Sequence, residues 1–140
     1  MKDQESFYFP KGIPGFEECK HFKLICEVDS PLAQLTNIKD DRIGFILIHP
    51  EAFFGDYSFE VDEDAENILR NSQDKENLQL EVWTILTNNS DVNQITVNLR
   101  APILLNMQYK IGLQLILNDE KYLSRQPLPL TKVKQEGVGE

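Results

Sequence analysis

Basic residues, cysteines, histidines and long apolar runs are all scarce in this chain, and each scarcity excludes something. Lys and Arg number 14 against 23 Asp and Glu, a formal net charge of −9. Affinity for a phosphate backbone comes largely from clustered Lys and Arg, so direct nucleic-acid binding is not expected. The only cysteines are Cys19 and Cys26. The first residues, MKDQESFYF, are too polar for a secretory signal, so free thiols serving as small core or strand residues are expected rather than a disulfide scaffold. No apolar run approaches the roughly 20 residues of a membrane helix. A cytoplasmic protein without membrane contact is expected. His21 and His49 have no companion at metal-ligand spacing, and there is neither a G-x-S-x-G nor a glycine-rich phosphate loop. No metal, cofactor or catalytic residue is expected, and the chain reads as a non-enzyme.

What is present is a series of short alternating segments. The clearest is QITVNLRAPILL, residues 94–105. Ile95, Val97 and Leu99 fall on one side, and Gln94, Thr96, Asn98 and Arg100 on the other, the period of a strand with one dry and one wet face. Pro102 lacks an N–H, so pairing continues past it only at an edge or through a bulge. A strand, a kink and a second strand are expected, with Arg100 on the wet face contacting an acidic partner, or else forming a cross-strand salt bridge or capping a loop. Residues 21–28 alternate around Phe22, Leu24, Cys26 and Val28. Residues 32–35 form a short apolar piece. GFILIH, residues 44–49, has the near-continuous pattern of a strand covered on both faces. Residues 78–87 and 111–118 alternate again. Gly112 inside the latter suggests a bulge or a close backbone approach. Residues 121–125 suggest a last short strand, and residues 71–77 and 88–93 read as loops. PKGIPG, residues 10–15, marks a tight turn, with Phe7, Phe9 and Phe16 as core anchors on either side.

These segments specify an all-β single domain over residues 1–125. It is a β-barrel-like or pseudobarrel sandwich of short, mostly antiparallel strands with at most one short helix. Residues 126–140 hold two prolines and few apolar side chains, and a flexible tail is expected. The one helix falls in the acidic stretch. Asp62 would cap it, Glu63, Asp64 and Glu66 would lie in its first turns, and Ala65, Ile68 and Leu69 would face inward. Between Glu51 and Glu81 ten acidic residues meet only Arg70 and Lys75, a net of −8. Such a patch attracts basic partners and repels polyanions within about 8 Å at physiological salt, or else merely keeps the chain soluble.

Three stretches together carry a family resemblance: FPKGIPGFE (residues 9–17), TVNLRAPI (96–103) and GLQLIL (112–117). A fourth, IGFILIHPEAFFGDYSFEVDE (43–63), fits between them. In order and spacing the chain resembles the flagellar assembly factor FliW family over nearly its whole length. The resemblance implies a small, non-catalytic, barrel-like fold with two mutually exclusive partners, flagellin and the RNA-binding translational repressor CsrA. FliW-like proteins bind CsrA and keep it off the flagellin messenger RNA. Unsecreted flagellin occupies them and releases CsrA, which then represses flagellin synthesis. Two departures stand out. Family members usually carry a further strand before the first motif, and only Met1 to Ser6 precede it here, which leaves room for a missing sheet edge. Arg100 stands where Gln is more usual.

The motif positions Gly12, Pro14, Gly15, Phe16, Asn98, Arg100, Pro102 and Gln114 read as mainly architectural, because Gly and Pro there set the backbone. Asp56, Glu60, Asp62, Glu63 and Asp64 are the candidates for an acidic surface that meets CsrA. Flagellin would more naturally lay an amphipathic helix in an apolar groove. The chain alone is expected to be a monomer. Two other readings stay open: a barrel holding a small ligand in its mouth, and a hydrolase using paired carboxylates, which would need a carboxyl with a raised pKa in a concave site.

Overall fold

The computed structural model describes residues 2–70, 79–88 and 95–128. Nine strands form one sheet: β1 Lys2–Tyr8, β2 His21–Glu27, β3 Leu32–Asn37, β4 Gly44–Ile48, β5 Leu80–Asn88, β6 Ile95–Val97, β7 Ile103–Asn106, β8 Ile111–Gln114 and β9 Gln126–Pro127. Seven of them close a barrel in the order β4-β3-β2-β1-β8-β7-β5, because β5 also pairs with β4. β6 and β9 extend the sheet beyond β5 as a flap. Every pairing is antiparallel except β1 with β8, which run parallel and meet at one register position, Tyr8 with Ile111. The Tyr8 N–H donates to the Lys110 carbonyl there (2.9 Å), and Lys110 pairs with Glu5 across the seam.

Alternation decides which side chains fill the barrel. Phe22 and Leu24 of β2, Leu35 of β3, Leu47 of β4, Trp83 of β5 and Ile103 of β7 point inward and are fully buried. Phe7 and Phe9 join them from β1 and the residues after it. The interior is therefore a packed core of side chains. Two smaller clusters lie outside. One packs Val97, Leu99, Leu117 and Tyr122 against Ile48. The other packs the single helix α1, Glu63–Arg70, onto Leu104, Ile111 and Leu113 of β7 and β8. Asp62 caps α1, its Oδ1 accepting the Ala65 N–H at 2.8 Å. Ala65 and Leu69 are buried and Ile68 half-buried, the face the spacing specifies.

Several expectations need correction. The N-terminal strand is present: β1 pairs with β2 along seven positions, so no sheet edge is missing there. It escapes detection because its first five residues are polar and only Phe7 and Tyr8, at its end, are aromatic. β4 is covered on both faces only at its end, where Leu47 enters the barrel and Ile48 the outer cluster, whereas Ile46 is 48% exposed. Thr96 is not on a wet face but 6% exposed, with Pro127 of β9 beside it in the sheet. Residues 121–125 are turns, and the last strand is β9. Ordered structure thus continues to Leu128, past the expected start of the tail, and the rest of that tail lies outside the described residues. The loops expected at 71–77 and, beyond Asn88, at 89–93 also lie outside them. β8 stops at Gln114, although Leu115 and Leu117 still donate to the carbonyls of Pro102 and Arg100. Phe16 is 40% exposed, resting edge-on against Phe45 rather than anchoring the core.

Candidate interaction surface

The strand-kink-strand stretch is one strand interrupted by a long bulge. β6 and β7 lie on the same edge of β5, with Val97 opposite Leu86 and Ile103 opposite Trp83. Five residues, 98–102, therefore face only two, Thr84 and Ile85. Asn98 organises the excess: its Oδ1 accepts the N–H groups of Arg100 and Ala101, both at 3.1 Å. Gln114 Nε2 donates to the Ala101 carbonyl (2.9 Å), and Arg100 Nε to the Leu117 carbonyl (3.0 Å). Pro102, buried, sits where no donor is needed and offers its carbonyl to Leu115. Arg100 is half-buried against β8's continuation, and no carboxylate is its partner in these contacts.

The first motif builds a second backbone feature. Gly12 has φ +65°, and a Cβ there would stand 2.6 Å from the Glu17 carbonyl oxygen. Gly15 has φ +90° and donates its N–H to Glu17 Oε2 at 3.1 Å. That bond holds the Glu17 carboxyl below the usual carboxylate range. Pro14 is exposed at the turn.

The acidic candidates belong to a third region. After β4 the chain leaves the barrel at Pro50, makes one 3₁₀ turn over Pro50–Ala52, and returns along the outside to α1. Two tyrosines pin this excursion, one to the bulge and one to the turn after β8. The Tyr57 hydroxyl donates to the Leu99 carbonyl (2.6 Å) and the Tyr122 hydroxyl to the Ser58 carbonyl (2.7 Å), with the two rings edge to face at 4.7 Å. Burial, with the neighbouring Tyr122 adding to it, pushes the Tyr57 hydroxyl pKa far up. Asp56, Glu60, Asp62, Glu63 and Asp64 are all exposed along this segment. Asp62, Glu63 and Asp64 gather at the start of α1, and Asp56 and Glu60 precede them. Between Arg42 and Arg70 the chain carries no Lys or Arg, so no basic neighbour in sequence offsets their field.

Two further acids of the same stretch converge where sequence reading saw nothing. Glu51 and Glu81 both line a cavity of about 430 Å³ beside His49. Its only signal in the sequence is that Pro50 stops β4 while its partner strand runs on. Among the described residues no group of three His, Cys, Asp or Glu side chains could hold a metal ion. No helix among them is long and apolar enough to cross a membrane. Cys19 and Cys26 are half-buried against the barrel core and form no disulfide.

The chain is similar to known proteins in both sequence and fold. The family model described as FliW protein matches residues 1–128. The flagellar assembly factor FliW of Clostridium botulinum (strain Okra / Type B1) is 38% identical over 128 residues, 91% of this chain and 87% of its own. That of Bacillus subtilis (strain 168) is 35% identical over 130 residues, covering 91% and 88%. A crystal structure of the flagellar assembly factor FliW superposes with a TM-score of 0.77 at 31% identity, over 87% of this chain and 84% of that one. With sequence and fold in agreement, the chain belongs to the FliW family of flagellar assembly factors.

Proposed function

We propose that the chain acts in the cytoplasm as a monomeric, non-catalytic partner switch that binds flagellin and the repressor CsrA in turn and so couples flagellin level to flagellin translation. Membership of the FliW family supports the flagellar role. The observation that carries the CsrA half is the exposed run of carboxylates at Asp56, Glu60, Asp62, Glu63 and Asp64, with no basic residue between positions 42 and 70. Such a face attracts a basic RNA-binding protein and repels the RNA that protein would carry. The filled barrel disfavours a small ligand held inside. Asp56, Glu60, Asp62, Glu63 and Asp64 stand exposed to water, whereas a paired-carboxylate acid requires a carboxyl held in a concave site.

The test is capture of purified flagellin and purified CsrA, singly and in competition. Each should bind, and excess flagellin should displace CsrA. The variant E60K/E63K/D64K leaves the Asp62 cap intact. It should lose CsrA affinity by about tenfold or more at low salt, with a flatter salt dependence. Unchanged CsrA binding in that variant would remove the electrostatic reading, and capture of neither partner would remove the whole.

A further inference from the structure

The cavity beside His49 has the construction of a receptor for one cationic side chain. β4 pairs with β5 only from Ile46–Leu86 to Ile48–Thr84. Continued by two residues, the register sets Pro50 opposite Val82. Pro50 has no N–H, and its carbonyl is taken by the N–H groups of Phe53 and Phe54. β5 nevertheless runs on to Leu80, so its first residues have no β4 partner on this side. Their groups face the gap: the Val82 carbonyl lies 3.2 Å from His49 Nδ1, and strand alternation turns the Val82 N–H and both Leu80 groups to the same edge.

The cavity opens at this edge, and its walls are held in place. The His49 ring stacks on Trp83 with centroids 3.6 Å apart and planes 27° apart. The Trp83 indole N–H donates to Glu81 Oε1 at 3.1 Å, which fixes one carboxylate at the rim. Glu51 supplies a second, and among the described residues no Lys or Arg lines the space. Tyr57, Phe59 and Leu80 give it apolar and aromatic surface. Two carboxylates over aromatic walls suit a guanidinium, whose planar fork bonds carboxylates while its stem packs on apolar surface.

We propose that this cavity takes an arginine side chain presented by an extended segment of a protein partner that runs along the edge of β5 left unpaired by β4. The proposal rests on the reading that the chain works by holding other proteins, and it names a contact point for one of them. The segment's backbone supplies main-chain pairing to the Val82 N–H and the Leu80 groups, while the Val82 carbonyl stays with His49, and its arginine supplies the selectivity.

The probe is a capped pentapeptide, Val-Thr-Arg-Thr-Val, with one twin carrying citrulline for arginine and another N-methylated on the backbone beside it. Binding is followed by NMR, with the indole N–H of the chain's single tryptophan as reporter. The arginine peptide should shift the Trp83 indole and Val82 amide signals. Each twin should bind about tenfold more weakly or less, and E51Q/E81Q should lower arginine-peptide affinity by a similar factor while its thermal melting stays that of the parent. Glutamine at position 81 still offers an acceptor to Trp83. Equal binding by either twin, an undiminished double variant, shifts confined to another face, or no binding at millimolar peptide would each overturn the proposal. Neither flagellin nor CsrA enters this titration, so its failure leaves the partner-switch reading standing, and failed capture of those proteins leaves this result unaffected.

Discussion

The ring of Phe9 stands where a side chain at Gly112 would begin. A Cβ built on Gly112 meets Cε1 and Cε2 of that ring at 2.6 and 2.7 Å. Phe9 is fully buried in the barrel core, so the ring has no free space to move into. Gly112 is thus a close approach and not a bulge: β7 and β8 pair in regular register from Ile103–Gln114 to Asn106–Ile111.

G112A should therefore destabilise the fold by about 1–3 kcal/mol through overpacking, measured by urea unfolding. F9L, which shortens the ring, should cost less in the G112A background than in the parent. The two changes share one volume, and their effects should not add. Additive losses would mean that the barrel relaxes around position 112 instead of pressing on Phe9.

Thr96 offers the opposite change. Its Oγ1 is buried with no hydrogen-bond partner among the described residues, on the strand that pairs with β9. A buried hydroxyl without a partner carries a desolvation cost that an isosteric methyl does not. T96V should raise stability by about 1 kcal/mol, read as a higher thermal midpoint. A neutral or destabilising result would place a partner on that hydroxyl in solution.

Asn98 should behave differently from its apparent place in an alternating strand. Its carbonyl oxygen holds two N–H groups of the bulge, so N98A should leave both without that acceptor and cost about 1–2 kcal/mol. N98D keeps an acceptor in the same position and should retain most of the stability. If N98A and N98D lost stability equally, the side-chain amide and not the acceptor would be what the bulge needs. Hydrogen exchange at Arg100 and Ala101 separates the two cases.

What could be read from residues alone was what neighbours in sequence decide. The alternation of Phe22, Leu24 and Cys26 fixes β2, and the Asp62 cap fixes the start of α1, because both signals lie within one element. The kink at Pro102 was also visible, since a missing N–H is a local fact. Pairing between distant segments was not. Thr96 has Pro127, some thirty residues on, beside it in the sheet, and the polar start of β1 becomes a strand only because β2 pairs with it. The acidic strip was legible as composition. The cavity was not, because it arises from a mismatch in length between β4 and β5, which are far apart in the chain.

Tyr57 makes the link between the acidic excursion and the bulge dependent on alkali. Burial, and secondarily the Tyr122 hydroxyl nearby, raises its folded pKa well above the unfolded value of about 10. A group with a raised folded pKa contributes its full stability below the unfolded pKa. Above pH 10 the unfolded chain loses this proton while the folded chain keeps it, so stability falls as pH rises. Y57F has no proton to lose there. It should cost about 1 kcal/mol at pH 7 through the missing bond to the Leu99 carbonyl, and it should show a shallower loss of stability from pH 10 to pH 11.5 than the parent. Other tyrosines and the lysines titrate in both proteins and cancel in the difference. Parallel stability curves over that range would mean that the Tyr57 hydroxyl reaches solvent, and that the excursion carrying Asp56 and Glu60 is not fastened to the barrel at this point.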